Sequence, residues 1–112
     1  MSGGLLPLPP SGNRSVRTGK GRHYTPKPIK AYRMIVAAAR DRSDPKIVGV
    51  FGIRITFYPP RKGRFDLDNR VKVLMDSLQH AGYFANDGDC IRMEINRGPV
   101  IAPAGAAEFI LF

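Results

Sequence analysis

Asp66 and Asp68 stand two residues apart with Lys72 one helical turn beyond, and Asp87 and Asp89 follow in a single loop. Carboxylates at this density supply the oxygen ligands that a hard divalent cation prefers, with water and a phosphate oxygen filling the remaining positions. A cation held there would acidify a water for in-line attack at phosphorus and offset the charge growing on the leaving oxygen, while Lys72 held the phosphate. Five of the nine acids in the chain, Asp66, Asp68, Asp76, Asp87 and Asp89, fall in this one stretch of a protein with formal charge +9 and a pI near 10.3. The residues before Asp41 carry eight Lys and Arg and no acid. Such a basic surface attracts a polyanion, and concentrated carboxylates within it point to phosphodiester chemistry.

Simpler readings exist for each acid. Asp66 can be the N-cap of a helix whose apolar stripe begins at Leu67, and Asp68, in the first turn, can pair with Lys72. Asn86, Asp87 and Gly88 are the residue types of a tight turn. Asp76 reads as a solvated acid on the helix; Asp89 alone keeps a functional reading here, as a reserve ligand. What lifts the set above these readings is its number: only one acid can be the cap, and Asp66, Asp68 and Asp87 converging from a helix start and a returning loop would make one Mg²⁺ site. Lys27, Lys30 and Arg33, with Arg14, Arg17, Lys20 and Arg22 in a basic arm at about 11–24, lack counter-charges and read as phosphate contacts.

The elements that must position these groups follow from periodicity. Leu5, Leu6 and Leu8, interrupted by Pro7 and Pro9, suggest a short edge strand, and Ser11 to Arg22 reads as loop. Thr25 and Pro26 read as an N-cap and first helical residue, with Ile29, Tyr32, Val36 and Ala39 at helical spacing. Phe51, Ile53, Ile55 and Phe57 alternate until Pro59 and Pro60. Leu67, Val71, Leu74, Met75, Leu78 and Ala81 form the stripe of a second helix, starting near Asp66 and closed by Gly82. Ile91, Met93 and Ile95 alternate with polar residues as a strand with one wet face, and Ala107 to Phe112 is the closing strand.

The order β-α-β-α-β-β in 112 residues implies a single domain of α/β (α+β) class, a small mixed sheet packed on two helices. Cys90 is the one cysteine and reads as a small buried side chain, so neither an intrachain disulfide nor a thiolate zinc cluster can form. No signal peptide or membrane-length apolar run is present, which makes a cytoplasmic protein the default expectation. Phe65 reads as core or as a wedge into unstacked DNA. Tyr83 and Phe84 read as covering a helix end or a subunit contact, and His23 and His80 lack zinc partners.

In order along the chain stand the basic stretch Arg61 to Arg64, then Asp66, Asp68, Asn69 and Lys72, Ala81 with Gly82, and Asp87. Pro9, Pro10, Ser11 and Asn13 precede them near the start, and Ala31, Tyr32 and Arg33 in the first helix. This ordered set resembles the RusA-like Holliday junction resolvases, small endonucleases of bacteria and their phages and prophages. The resemblance spans nearly the whole chain. It implies a homodimer that binds four-way DNA junctions and cuts two strands symmetrically with Mg²⁺ or Mn²⁺, in DNA recombination and repair. Carried over, Asp66, Asp68 and Asp87 look like catalytic metal ligands and Lys72 like the active-site lysine, with Asn69 a motif member. Arg61, Lys62, Arg64 and Arg70 join the basic arm, Lys27 and Lys30 as the expected DNA-binding set. One departure is Asn86, where relatives often place a second acid before Asp87. Two rival readings are a non-catalytic basic nucleic-acid-binding protein and a less selective metal-dependent nuclease.

Overall fold

The computed structural model describes residues 2–11, 17–19, 22–24 and 26–112, with backbone alone for 17–19 and 22–24. Elements run β1 (Ser2–Leu6), β2 (Arg17–Gly19), β3 (Arg22–Tyr24), α1 (Lys27–Ala39), β4 (Phe51–Tyr58), α2 (Asp68–Ala81), a 3-10 turn (Asp87–Asp89), β5 (Cys90–Arg97) and β6 (Ala106–Leu111). The expected order is present as a mixed four-stranded sheet and two helices. An antiparallel hairpin, β2 with β3, begins in the segment read as loop and ends two residues beyond it, where Thr18 and Tyr24 carry strand preference that sparse apolar content concealed. Arg14, Lys20 and Thr25 lie outside the described residues, as do the side chains of Arg17, Arg22 and His23.

The sheet order is β1-β6-β4-β5, with β4 and β5 parallel and the other pairs antiparallel. Alternation in β4 puts Phe51, Ile53, Ile55 and Phe57 on one face, and the register adds Ala107, Phe109 and Leu111 from β6. Ile29, Tyr32 and Val36 of α1 and Val73, Leu74, Met75 and Leu78 of α2 close over that face as one apolar core. Roughly 1.5–3 kcal/mol for each such large side chain removed from water is the main favourable contribution to this packing. Ala39 is exposed rather than buried, because α1 ends there and Arg40 turns the chain away. Pro26 takes the N-cap position and α1 begins one residue later than expected.

The α2 stripe is wider than its periodicity suggested. Leu74, Met75 and Leu78 are buried and Leu67, Val71 and Ala81 partly so, while Val73 and Ser77 are also buried because α1 packs along a second flank. Ser77 Oγ donates to the Val73 carbonyl at 2.7 Å, which satisfies a hydroxyl that would otherwise be stranded in the core. Gly82 ends α2 at φ 93°, the left-handed conformation glycine adopts without steric cost, and its N–H is given to the carbonyls of Gln79 and Leu78. Beyond it Tyr83 and Phe84 are buried, Phe84 stacking on Phe51 at 4.5 Å and Tyr83 meeting Phe109 edge-on at 5.0 Å. Cys90 is only partly buried, since it opens an edge strand.

Candidate active site

The path from β4 through α2 to β5 decides where the acids stand. In a parallel crossover the chain leaves the first strand at one end of the sheet and enters the second at the other. Asp66 and Asp68 follow β4, whereas Asp87 and Asp89 precede β5. The backbone N–H of Asp87 is donated to Gln79 Oε1 at 2.8 Å, and Gln79 lies near the far end of α2. At about 1.5 Å per residue, Gln79 is about 16 Å along the helix axis from Asp68. Among the described residues, no group of three His, Cys, Asp or Glu side chains stands together as a metal site. The expected meeting of Asp66, Asp68 and Asp87 around one ion is therefore not formed within the described subunit, and the physical reason is the crossover topology.

The half-site at the head of α2 is well organised. Asp66 is not the helix cap: its Oδ2 accepts from Asn69 Nδ2 at 3.0 Å, and Leu67 occupies the N-cap position with no side-chain cap bond. Asp68 opens the helix, exposed, where the N-terminal end of the macrodipole favours negative charge. Lys72 Nζ lies 3.5 Å from Asp76 Oδ2, so its ion pair points one turn onward rather than back to Asp68. With Lys72 71% exposed, that pair leaves the ammonium free to reach another anion at small cost.

Beside Asp66 an open cleft of about 450 Å³ is lined by Ser11, Pro60, Arg61, Arg64, Phe65, Asn69 and Arg70. Arg61, Lys62 and Arg64 are exposed on the loop leading to Asp66, and Lys27 and Lys30 are exposed on α1, as phosphate contacts require. Arg70 departs from that role. Its guanidinium donates to the Pro9 carbonyl and lies 5.1 Å from the Phe65 ring centre, and burial pushes its pKa down, so it fastens the N-terminal segment to α2. Phe65 is half-buried against the core, with Arg97 on its ring at 6.0 Å. Arg97 also donates to the Gly63 carbonyl at 2.6 Å. Asn69 as the holder of Asp66, Gln79 as the acceptor for Asp87, and Arg97 as the clamp on the loop were roles hidden in sequence. Only the Asp-x-Asp-Asn spacing signalled the first of them.

Residues 7–104 match the family model described as Endodeoxyribonuclease RusA. The crossover junction endodeoxyribonuclease RusA of Escherichia coli K12 is 34% identical over 97 residues, covering 85% of this chain and 81% of the relative. Proteins of the same name from Enterobacteria phage 82 and Shigella sonnei are 35% and 33% identical over the same share of each chain. No helix among the described residues is long and apolar enough to cross a membrane. A match over nearly the whole length, together with the ordered acids and the basic cleft, establishes that the chain belongs to the RusA endodeoxyribonuclease family.

Proposed function

We propose that this protein is a structure-selective DNA endonuclease that resolves four-way junctions by divalent-metal-dependent phosphodiester hydrolysis, acting as a homodimer that makes paired symmetric nicks. The relatives named crossover junction endodeoxyribonuclease, from bacteria and a phage, support the substrate class. The observation that carries the reading is the exposed Asp66 and Asp68 pair beside an arginine-lined cleft.

The donor set suits Mg²⁺ or Mn²⁺, because Mg²⁺ binds through one or two carboxylates and keeps water and substrate phosphate as its other ligands. Asp66 and Asp68 would hold such an ion, which when bound supplies charge compensation and a more acidic attacking water. Asn69 fixes Asp66 through its 3.0 Å hydrogen bond, which limits the rotamers Asp66 must lose on binding. Lys72, one turn beyond Asp68, turns from Asp76 to a phosphate oxygen. Arg61, Lys62 and Arg64 hold the backbone of the entering strand, with Lys27, Lys30 and the basic arm contacting a neighbouring duplex. Asp87, at the opposite end of α2, contributes to the site of a second copy, and two active centres in one dimer account for cuts in two strands.

Asp68→Asn tests the reading directly. With a synthetic four-way junction and Mg²⁺, binding persists and cleavage is lost, whereas undiminished cleavage rejects the site. Absence of metal-dependent cleavage by the unaltered protein on any DNA favours the non-catalytic binder. Equal cutting of junction, linear duplex and RNA in one mixture favours the less selective nuclease.

A further inference from the structure

The two helices present different faces to solvent. On α2 the exposed residues are Asp68, Lys72 and His80, all polar. On α1 they are, apart from Lys27 and Lys30, all apolar, with Met34 73% and Ile35 47% exposed. Pro28, Ala31, Ile35 and Ala38 recur at steps of three and four, so they form one stripe, and Met34 stands beside it. The stripe is turned away from Ile29, Tyr32 and Val36, which give α1 its hold on the core. Single apolar residues on a surface need no explanation, but a continuous apolar face on a helix marks a surface that another element covers.

The rim of that face decides what kind of element. Lys27, Lys30 and Arg33 follow one another at steps of three along one flank, and Arg42 comes just past the end of the helix. Among the described residues none of these four cations makes an ion pair. Nε of Arg33 has no hydrogen-bond partner either, so no group of this subunit has captured that guanidinium. α1 contains no acid, and the first two in the chain, Asp41 and Asp44, come after its end. A basic rim beside an apolar face is complementary to an acidic amphipathic segment. Other occupants match it less well. The arm preceding α1 carries Arg14, Arg17, Lys20 and Arg22 and no acid, and a second copy brings the same cations face to face, so both are repelled. A phosphate backbone would satisfy the rim but has no use for Met34 and Ile35.

Helix axes pack about 8–10 Å apart according to the side chains between them, and the small Ala31 and Ala38 allow the closer approach. We propose that the outer face of α1 docks an acidic amphipathic helix of a partner protein, its apolar stripe on Ala31, Met34, Ile35 and Ala38 and its carboxylates on Lys30, Arg33 and Arg42. At 13 residues α1 is about 20 Å long, which is short for a stable interface, so the complex is transient, with a dissociation constant on the order of tens of micromolar. Lys30 is shared with the duplex contact proposed above, so partner and duplex exclude one another there. The docking itself does not rest on the nuclease reading.

Fluorescence anisotropy of a labelled peptide of about 20 residues, leucine at steps of three and four and glutamate elsewhere, tests it with the full chain in the absence of DNA and metal. This peptide is expected to bind on the order of tens of micromolar. One of the same composition with its leucines scattered round the helix, and one with lysine for glutamate, are each expected to bind at least about tenfold more weakly. Met34→Gln with Ile35→Gln, exposed positions in a helix that glutamine suits, should weaken the acidic peptide about tenfold and leave the melting temperature unchanged. On the unaltered chain the peptide should slow amide exchange across Lys27–Ala39. Equal affinity for the three peptides, no binding at several hundred micromolar, unchanged exchange in α1, or indifference to the double change overturns the proposal. So do two other results of that double change: weaker binding to a linear duplex, which would put DNA on the face, or altered sedimentation of the protein alone, which would put a second copy there.

Discussion

The two ends of α2 are built for opposite purposes. At its head, Asp66, Asp68, Arg61 and Arg64 are exposed around an open cleft, and the helix starts without a side-chain cap. At its tail, a glycine cap, the buried Tyr83 and Phe84, and backbone bonds between Ile47 and Tyr83 and between Ala85 and Ile47 fasten the chain to the core. The Asp87 loop is thus held at its backbone by Gln79, while the carboxylates at the head stay exposed. The contrast places the anchoring of α2 mainly at its tail and leaves exposed charge at its head.

The comparison breaks most sharply under loss of charge at the head. Asp68→Asn is expected to reduce junction cleavage by about 1,000-fold or more, several kcal/mol of lost transition-state stabilisation, with little change in melting temperature. Single-turnover cleavage and a thermal melt together check both halves of that statement. Asp87→Asn is expected to cost activity similarly. Mixing Asp68→Asn with Asp87→Asn subunits regenerates one intact site per mixed dimer, so nicking of one strand returns; a mixture as inactive as its components would place all three acids in one subunit's site. Phe84→Ala acts on the tail and should destabilise the fold by about 3–5 kcal/mol, measured by urea unfolding.

Smaller effects sharpen the picture. Asn69→Ala removes the hydrogen bond to Asp66, and a loss of about tenfold in cleavage, partly recovered at higher Mg²⁺ concentration, is expected of a residue that positions a ligand. Arg61→Ala or Arg64→Ala should weaken binding to all junction sequences alike and lower the salt slope by about 1 each, whereas Arg70→Ala should chiefly lower stability, because its guanidinium is spent on Pro9 and Phe65.

Much of the fold was legible because periodicity is a local property. Phe51, Ile53, Ile55 and Phe57 can alternate only in a strand, and the stripe from Leu67 to Ala81 with Gly82 after it can only be a capped helix. The hairpin of β2 and β3 escaped because its few residues carry almost no apolar signal, and the cap at Asp66 was misjudged because the nearby Asn69 captured the carboxylate instead. The wet and dry sides of β5 were misread for a different reason. Alternation shows that Ile91, Met93 and Ile95 share a spacing, but not that Ile91 and Met93 stay exposed on this edge strand while Ile95 alone packs against the core.

By itself the sequence determined which acids and which lysine the proposed site can draw on, and how far apart they stand along the chain, since those are fixed by covalent order. It also settled the family, through an ordered set of residues across nearly the whole chain. The tertiary structure alone decided that Asp66 and Asp68 stand at one end of α2 and Asp87 at the other. A parallel crossover must carry the chain across the sheet before β5 can begin beside β4, and no spacing along the chain records that traverse.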